Sequence, residues 1–158
     1  MRVLFVCLGN ICRSPTAEAV MRGLVEERGL AGVIEIDSAG TGDWHVGKPS
    51  DPRAIEVAAG RGVELTSRAR QVGVADFDEF DLIVAMDRSN HEHLVALAGG
   101  DETKVRLLRG YGGDADPDVP DPYFGGNDGF EEVLDIIERN CSLLLDELER
   151  LGEPGRRS

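Results

Sequence analysis

Two thiols, a guanidinium and a Ser-Pro pair crowd the segment VCLGNICRSPTAE at residues 6–18. Cys7 and Arg13 bracket a short arc of Leu8, Gly9, Asn10, Ile11 and Cys12. An apolar run at 3–6 precedes the arc and Ser14-Pro15 follows it. That order reads as strand, tight loop and helix start, with Ser14 as N-cap and Pro15 at the first helical position. Backbone N–H groups of such a loop converge on one point. The helix N-terminus adds partial positive charge there. Arg13 offers a planar fork that matches two oxygens of a phosphoryl group. The segment is therefore an expected anion cradle. The same field favours the thiolate of Cys7, the nucleophilic form. A nucleophile at the floor of a phosphate cradle points to phosphoryl-transfer chemistry, with Cys7 attacking phosphorus. Cys-x5-Arg alone is a weak pattern, but its place between a strand and a Ser-Pro helix start strengthens it. The competing reading makes Cys7 a small buried hydrophobe and Arg13 a solvated charge.

A thiolate that displaces a poor leaving group from phosphorus requires a proton donor near the cradle's mouth. From the sequence alone, thirty acids compete for that role. Asp121 stands out because Pro120 and Pro122 stiffen its backbone and because residues 110–129 read as one long polar loop. Loops beyond ~12–15 residues tend to be functional. A plain turn aspartate is the other reading. Asn10 tolerates left-handed backbone and is expected to shape the loop. The Ser14 hydroxyl either caps the helix or supports the Cys7 sulfur.

The elements that must hold these residues alternate along the chain. Strands are expected at 3–6, 33–36, 82–85 and 105–108. Helices are expected from Ser14 to a stop at Gly29, over 54–59 after Asp51-Pro52, and over 89–97 with Asp87 or Ser89 as cap. The last helix is the clearest. Phe130, Val133, Leu134, Ile137, Cys141, Leu144, Leu145 and Leu148 form one apolar stripe, and Asp128 with Glu131 resembles a capping box. Alternating strands and helices mean an α/β fold with a mainly parallel sheet. Ligands in such sheets bind beyond the carboxyl ends of the strands, where the opening segment lies. One domain over 1–151 with a frayed tail over 152–158 is expected.

Composition narrows the partners. A formal net charge of −13 argues against nucleic-acid coating, whose footprint is basic. An anionic substrate therefore needs a local positive site in an acidic body. Three cysteines without zinc-ribbon or disulfide-framework spacing fit a reducing, cytoplasmic setting. No stretch approaches the ~20 apolar residues of a membrane span, so no membrane partner is expected. His91 and His93 lack ligand-like neighbours, so no metal site is assigned. Cys141 lies on the core stripe and reads as packing.

VCLGNICRSPTAE resembles the active-site signature of the low-molecular-weight protein tyrosine phosphatases. DSAGTGDWHVG at 37–47, RARQV at 68–72, DLIVAMDRSN at 81–90 and DPYFGG at 121–126 resemble the same family in the same order. The resemblance implies a flavodoxin-like fold, with four parallel strands flanked by helices on both faces. It implies hydrolysis of phosphotyrosine through a cysteinyl-phosphate, without a cofactor, and a tyrosine-phosphorylated protein as substrate. It implies Asp121 as general acid and then base. It makes Trp44, Tyr123 and Phe124 walls of a slot that stacks on an aryl group, with His45 a weaker candidate. Ile11 favours phosphotyrosine, since relatives that prefer phosphoarginine tend to carry Thr there. Cys12 is either filler or the partner that resolves an oxidised Cys7 as a disulfide. Ser38 resembles the family's loop-buttressing serine, but Ser67 stands where its histidine partner is usual. That departure puts the strength of the supporting network in question. A monomer is the default expectation. A thiol-dependent arsenate reductase and a non-catalytic phosphate-binding module are the rival readings. The first needs further downstream cysteines, and the second predicts loss of thiol, arginine or acid.

Overall fold

The computed structural model describes residues 1–123 and 127–151. Among them the elements run β1 (Arg2–Cys7), α1 (Arg13–Glu27), β2 (Glu35–Gly40), α2 (Pro52–Ala59), α3 (Asp76–Glu79), β3 (Leu82–Ala85), α4 (Arg88–Leu97), β4 (Val105–Leu107) and α5 (Asn127–Leu151), with a 3-10 turn at Leu108–Gly110 before α5. The expected tail at 152–158 and the expected wall residue Phe124 lie outside the described residues.

The strands form one parallel sheet in the order β2-β1-β3-β4. Side chains alternate across β1 because a strand has period two. Val3, Phe5 and Cys7 join the core beneath α1 and α5, while Leu4 and Val6 join the core on the α4 side. Helices therefore cover both faces, which explains why the inner strands read as unbroken apolar runs. The α5 stripe is buried as its spacing requires, from Phe130 to Leu148.

From β1 the chain goes to one neighbour, β2, and later to the other, β3. The strand order thus reverses at the carboxyl end of β1, where open α/β sheets form their ligand crevice. Backbone bonds tie the surrounding loops to that point. Thr41 N donates to Cys7 O at 2.9 Å, Gly42 N to Leu8 O at 2.9 Å, Asp51 N to Ile11 O at 2.8 Å and Val119 N to Met86 O at 2.7 Å.

The expectations for β2 and for the start of α1 are corrected, and one short element, α3, was not expected at all. The second strand lies at Glu35–Gly40, not at 33–36. Pairing with all of β1 sets its register, from Arg2 against Glu35 to Cys7 against Gly40, and Val33 stays exposed. The small residues of DSAG have weak strand propensity, yet the loop after β1 demands them. A Cβ on Gly40 would meet Leu8 O at 2.8 Å and Asn10 at 3.2 Å. Helix α1 begins at Arg13 after Cys12, so Ser14 is not its N-cap. Its hydroxyl is instead drawn inward by Cys7 and Asn10. The four-residue α3 carries too few turns to leave a periodic signal, and its place is set by Asp76, which accepts from Gly73 N at 2.8 Å and pairs with Arg70. Two further caps follow expectation: Asp51 accepts from Arg53 N before Pro52, and of the two candidates at α4, Asp87 accepts from Asn90 N. Asp128, expected to open a capping box with Glu131, instead lies within the first turn of α5.

Candidate active site

The loop between β1 and α1 wraps around the Cys7 sulfur. Asn10 has φ 55°, the one positive φ outside glycine among the described residues. This turns its backbone N–H onto Cys7 Sγ at 3.3 Å, and Ser14 Oγ lies 3.0 Å from the same sulfur. The Asn10 side chain holds that conformation. Its Nδ2 donates to Ser14 Oγ at 2.7 Å and to Ser38 Oγ at 3.0 Å, while its Oδ1 accepts from Arg70 N at 3.0 Å. Among the described residues, the amides of Leu8, Gly9, Ile11 and Cys12 donate to no protein acceptor. Four adjoining unpaired donors at the start of a helix are what an anion requires.

Arg13 is buried and firmly held. Its Nη1 donates to Asp87 Oδ2 at 2.7 Å and to Val119 O at 2.9 Å, and its Nη2 lies 3.7 Å from Asp121 Oδ2. Burial works against its charge, but the nearby Cys7, Asp87 and Asp121 outweigh burial and raise the Arg13 guanidinium further above its usual range. It is a permanent cation. Asp121 is exposed, and its other oxygen accepts from Tyr123 N at 3.0 Å. Arg53 ties this segment to α2 by donating to Tyr123 O at 2.8 Å while pairing with Asp51.

A cavity of about 220 Å³ is lined by Cys7, Leu8, Gly9, Ile11, Cys12, Arg13, Trp44, His45, Asp121 and Tyr123. Nearly every residue singled out in the sequence meets here. Ser14 and Asn10 stand behind the loop, where they order it. Trp44 is 66% exposed, and its indole lies so close on Gly42 that a Cβ there would overlap the ring. His45 packs over Gly9 and faces Tyr123 with ring centroids 6.1 Å apart. Burial, with Asp51 and Cys7 nearby, pushes the Cys12 thiol up. Cys12 is thus held as the neutral thiol.

Sequence reading missed the partners of Arg13. Asp87 stood out only as a helix cap, although its place two residues beyond β3 puts it at the same sheet end as Cys7. The carbonyl of Val119 left no signal. Glu18 also went unnoticed: it is buried and accepts from Ser38 Oγ at 2.5 Å. Ser67, in place of the expected histidine, makes no hydrogen bond to Ser38.

A sulfur, a buried guanidinium and a carboxylate gather at the switch point of a parallel sheet, an arrangement suited to a phosphatase. The chain belongs to the low molecular weight phosphotyrosine protein phosphatases, whose family model matches residues 2–153. A low molecular weight protein-tyrosine-phosphatase of Streptomyces coelicolor is 52% identical over 151 residues, covering 91% of each chain. The crystal structure of YfkJ from Bacillus subtilis superposes with a TM-score of 0.91 at 43% identity, covering 97% of both chains. A protein tyrosine phosphatase from Entamoeba histolytica, solved with Hepes in its active site, gives a TM-score of 0.90 at 40% identity, covering 95% of this chain and 97% of that one.

Proposed function

We propose that this chain hydrolyses phosphotyrosine in protein substrates in two steps, with Cys7 as nucleophile, Arg13 as phosphoryl ligand and Asp121 as acid and base. The observation that carries the reading is the shared cavity, with sulfur, guanidinium and carboxylate on its walls. The Cys7 thiolate attacks phosphorus in line with the leaving phenol. The unpaired loop amides and Arg13 hold the equatorial oxygens, where charge develops. Asp121 gives its proton to the phenol, leaving a cysteinyl-phosphate. Asp121 then takes a proton from water as the water attacks that intermediate, releasing inorganic phosphate and the free thiolate.

Leu8, Gly9, Ile11 and Cys12 complete the cradle, and Trp44 and Tyr123 flank the aryl ring. Ile11 keeps the phosphotyrosine preference. When peroxide oxidises Cys7 to the sulfenic acid, the Cys12 thiol condenses with it, water leaves, and the resulting disulfide protects the nucleophile. The working unit is one domain over 1–151, acting as a cytoplasmic monomer without nucleic acid or membrane. Among the described residues, no helix is long and apolar enough to cross a membrane.

Phosphate release from an aryl phosphate tests the reading. Wild type should turn over, Cys7→Ser should be inactive, and Asp121→Asn should lose most of kcat. A phosphate sensor would bind without turnover. An arsenate reductase would consume thiol with arsenate, a relay poorly served here because Cys141 is fully buried in the core.

A further inference from the structure

We infer that Glu18 is a positioning residue that orients the hydrogen bonds on the Cys7 sulfur, acting through Ser38 and Asn10. The inference rests on the phosphatase reading of the site.

The direction of each bond in this chain is fixed by counting protons. Ser38 has one hydroxyl proton, and Glu18 Oε1 takes it at 2.5 Å. A carboxylate only accepts. Ser38 Oγ is therefore left with its lone pairs toward Asn10, and Asn10 Nδ2 donates to it at 3.0 Å. The second Nδ2 proton goes to Ser14 Oγ at 2.7 Å. The amide cannot be turned over, because Arg70 N already donates to Asn10 Oδ1 at 3.0 Å. Ser14 Oγ, filled from one side, keeps its own proton to give. Cys7 Sγ at 3.0 Å is a nearer acceptor than Ala39 O at 3.3 Å. The same clamp keeps Asn10 in its left-handed backbone, which aims its N–H at the sulfur.

Glu18 serves this purpose at some cost to the fold. It is buried on α1, with Arg22 on its other oxygen. Burial outweighs Ser38 and Arg22 and pushes the carboxyl up. A glutamate there for stability alone would be better replaced by a neutral side chain. Residue 67, where the histidine was expected, takes no part, so the buried carboxylate ends the chain of bonds directly.

Glu18→Gln reverses one bond while keeping shape. The amide oxygen is claimed by the Arg22 guanidinium, so the amide nitrogen turns to Ser38. Ser38, whose oxygen can accept twice, then takes donors from both Gln and Asn10, but its own buried proton loses the carboxylate, so its hold on Asn10 weakens. The probe is iodoacetamide alkylation of Cys7, read by mass spectrometry of its peptide, beside kcat and KM for para-nitrophenyl phosphate. Expected is about a tenfold slowing of Cys7 alkylation and a similar fall in kcat, the scale of one lost hydrogen bond to a charged acceptor. KM should change far less, and the melting temperature should not fall. Ser38→Ala should give the same loss, and adding Glu18→Gln to it should add nothing. Removal of a nearby anion acting only through space would speed alkylation. Faster or unchanged alkylation in Glu18→Gln would overturn the inference, as would equal further losses in the Ser38→Ala background. Should wild type fail to turn over the aryl phosphate, the phosphatase reading falls, whereas the alkylation series still judges the relay.

Discussion

Arg13 and Asp87 form a partly buried ion pair, Nη1 to Oδ2 at 2.7 Å, that joins the start of α1 to the N-cap of α4. One aspartate thus does two jobs. Its Oδ1 caps α4 through Asn90 N, and its Oδ2 holds the guanidinium. The two jobs separate by substitution. Asn caps as well as Asp, so Asp87→Asn should keep its melting temperature within a few degrees while phosphate inhibition weakens by about tenfold or more. Asp87→Ala should lose both, with the cap worth about 1 kcal/mol. Thermal melts beside phosphate inhibition constants check this.

Gly40 supports the cradle from behind. An added Cβ would meet Leu8 O at 2.8 Å, a backbone atom that cannot rotate away. Gly40→Ala should therefore displace the loop and cut kcat/KM by about a hundredfold or more, since small misplacements of reacting groups cost about that much. Far-ultraviolet circular dichroism should still report the native helix content.

Trp44 is largely exposed, so its truncation should barely change stability. Trp44→Ala should raise KM for an aryl phosphate by about three- to tenfold, the worth of one aromatic contact, and leave inhibition by inorganic phosphate unchanged. Equal weakening of both would place the indole in the phosphate cradle instead.

Glu18 makes stability depend on pH. Its carboxyl is raised chiefly by burial, with Asp37 adding to that, and Ser38, Arg22 and Arg70 opposing. The folded state therefore binds the proton more tightly than the unfolded chain. The group's contribution is fully present below the ordinary glutamate range and is lost as pH rises through its folded value. Melts from pH 4 to pH 8 should show Glu18→Gln gaining on wild type as pH increases, and converging with it at the acid end.

Much of this architecture could be read before any coordinates. Cys7, Arg13 and the Ser-Pro start mark a strand, loop and helix locally, and the α5 stripe repeats with unbroken period. Asp51-Pro52 and Asp87 are caps whose chemistry is written in adjacent residues. What escaped depends on long-range packing. β2 runs through DSAG because β1 needs a partner along its length and the loop needs room, not because those residues favour a strand. Ser14 looked like a cap since its neighbours are those of a cap; its hydroxyl turns inward because Cys7, Asn10 and Ser14 meet in space. Asp87 and Glu18 are each far in sequence from the side chain they hold, Arg13 and Ser38. Ser67 could be recognised as a departure, but not the buried carboxylate that stands in for its missing contact.

The central claim is that the Cys7 sulfur carries the phosphoryl group during turnover. Rapid acid quench of Asp121→Asn during hydrolysis of an aryl phosphate, followed by mass spectrometry of its peptides, tests it directly. The account predicts one phosphoryl group on Cys7, formed in a burst that matches the phenol released and absent from Cys7→Ser. A phosphoryl group on any other residue, or phenol release in the burst with Cys7 unmodified, would contradict it.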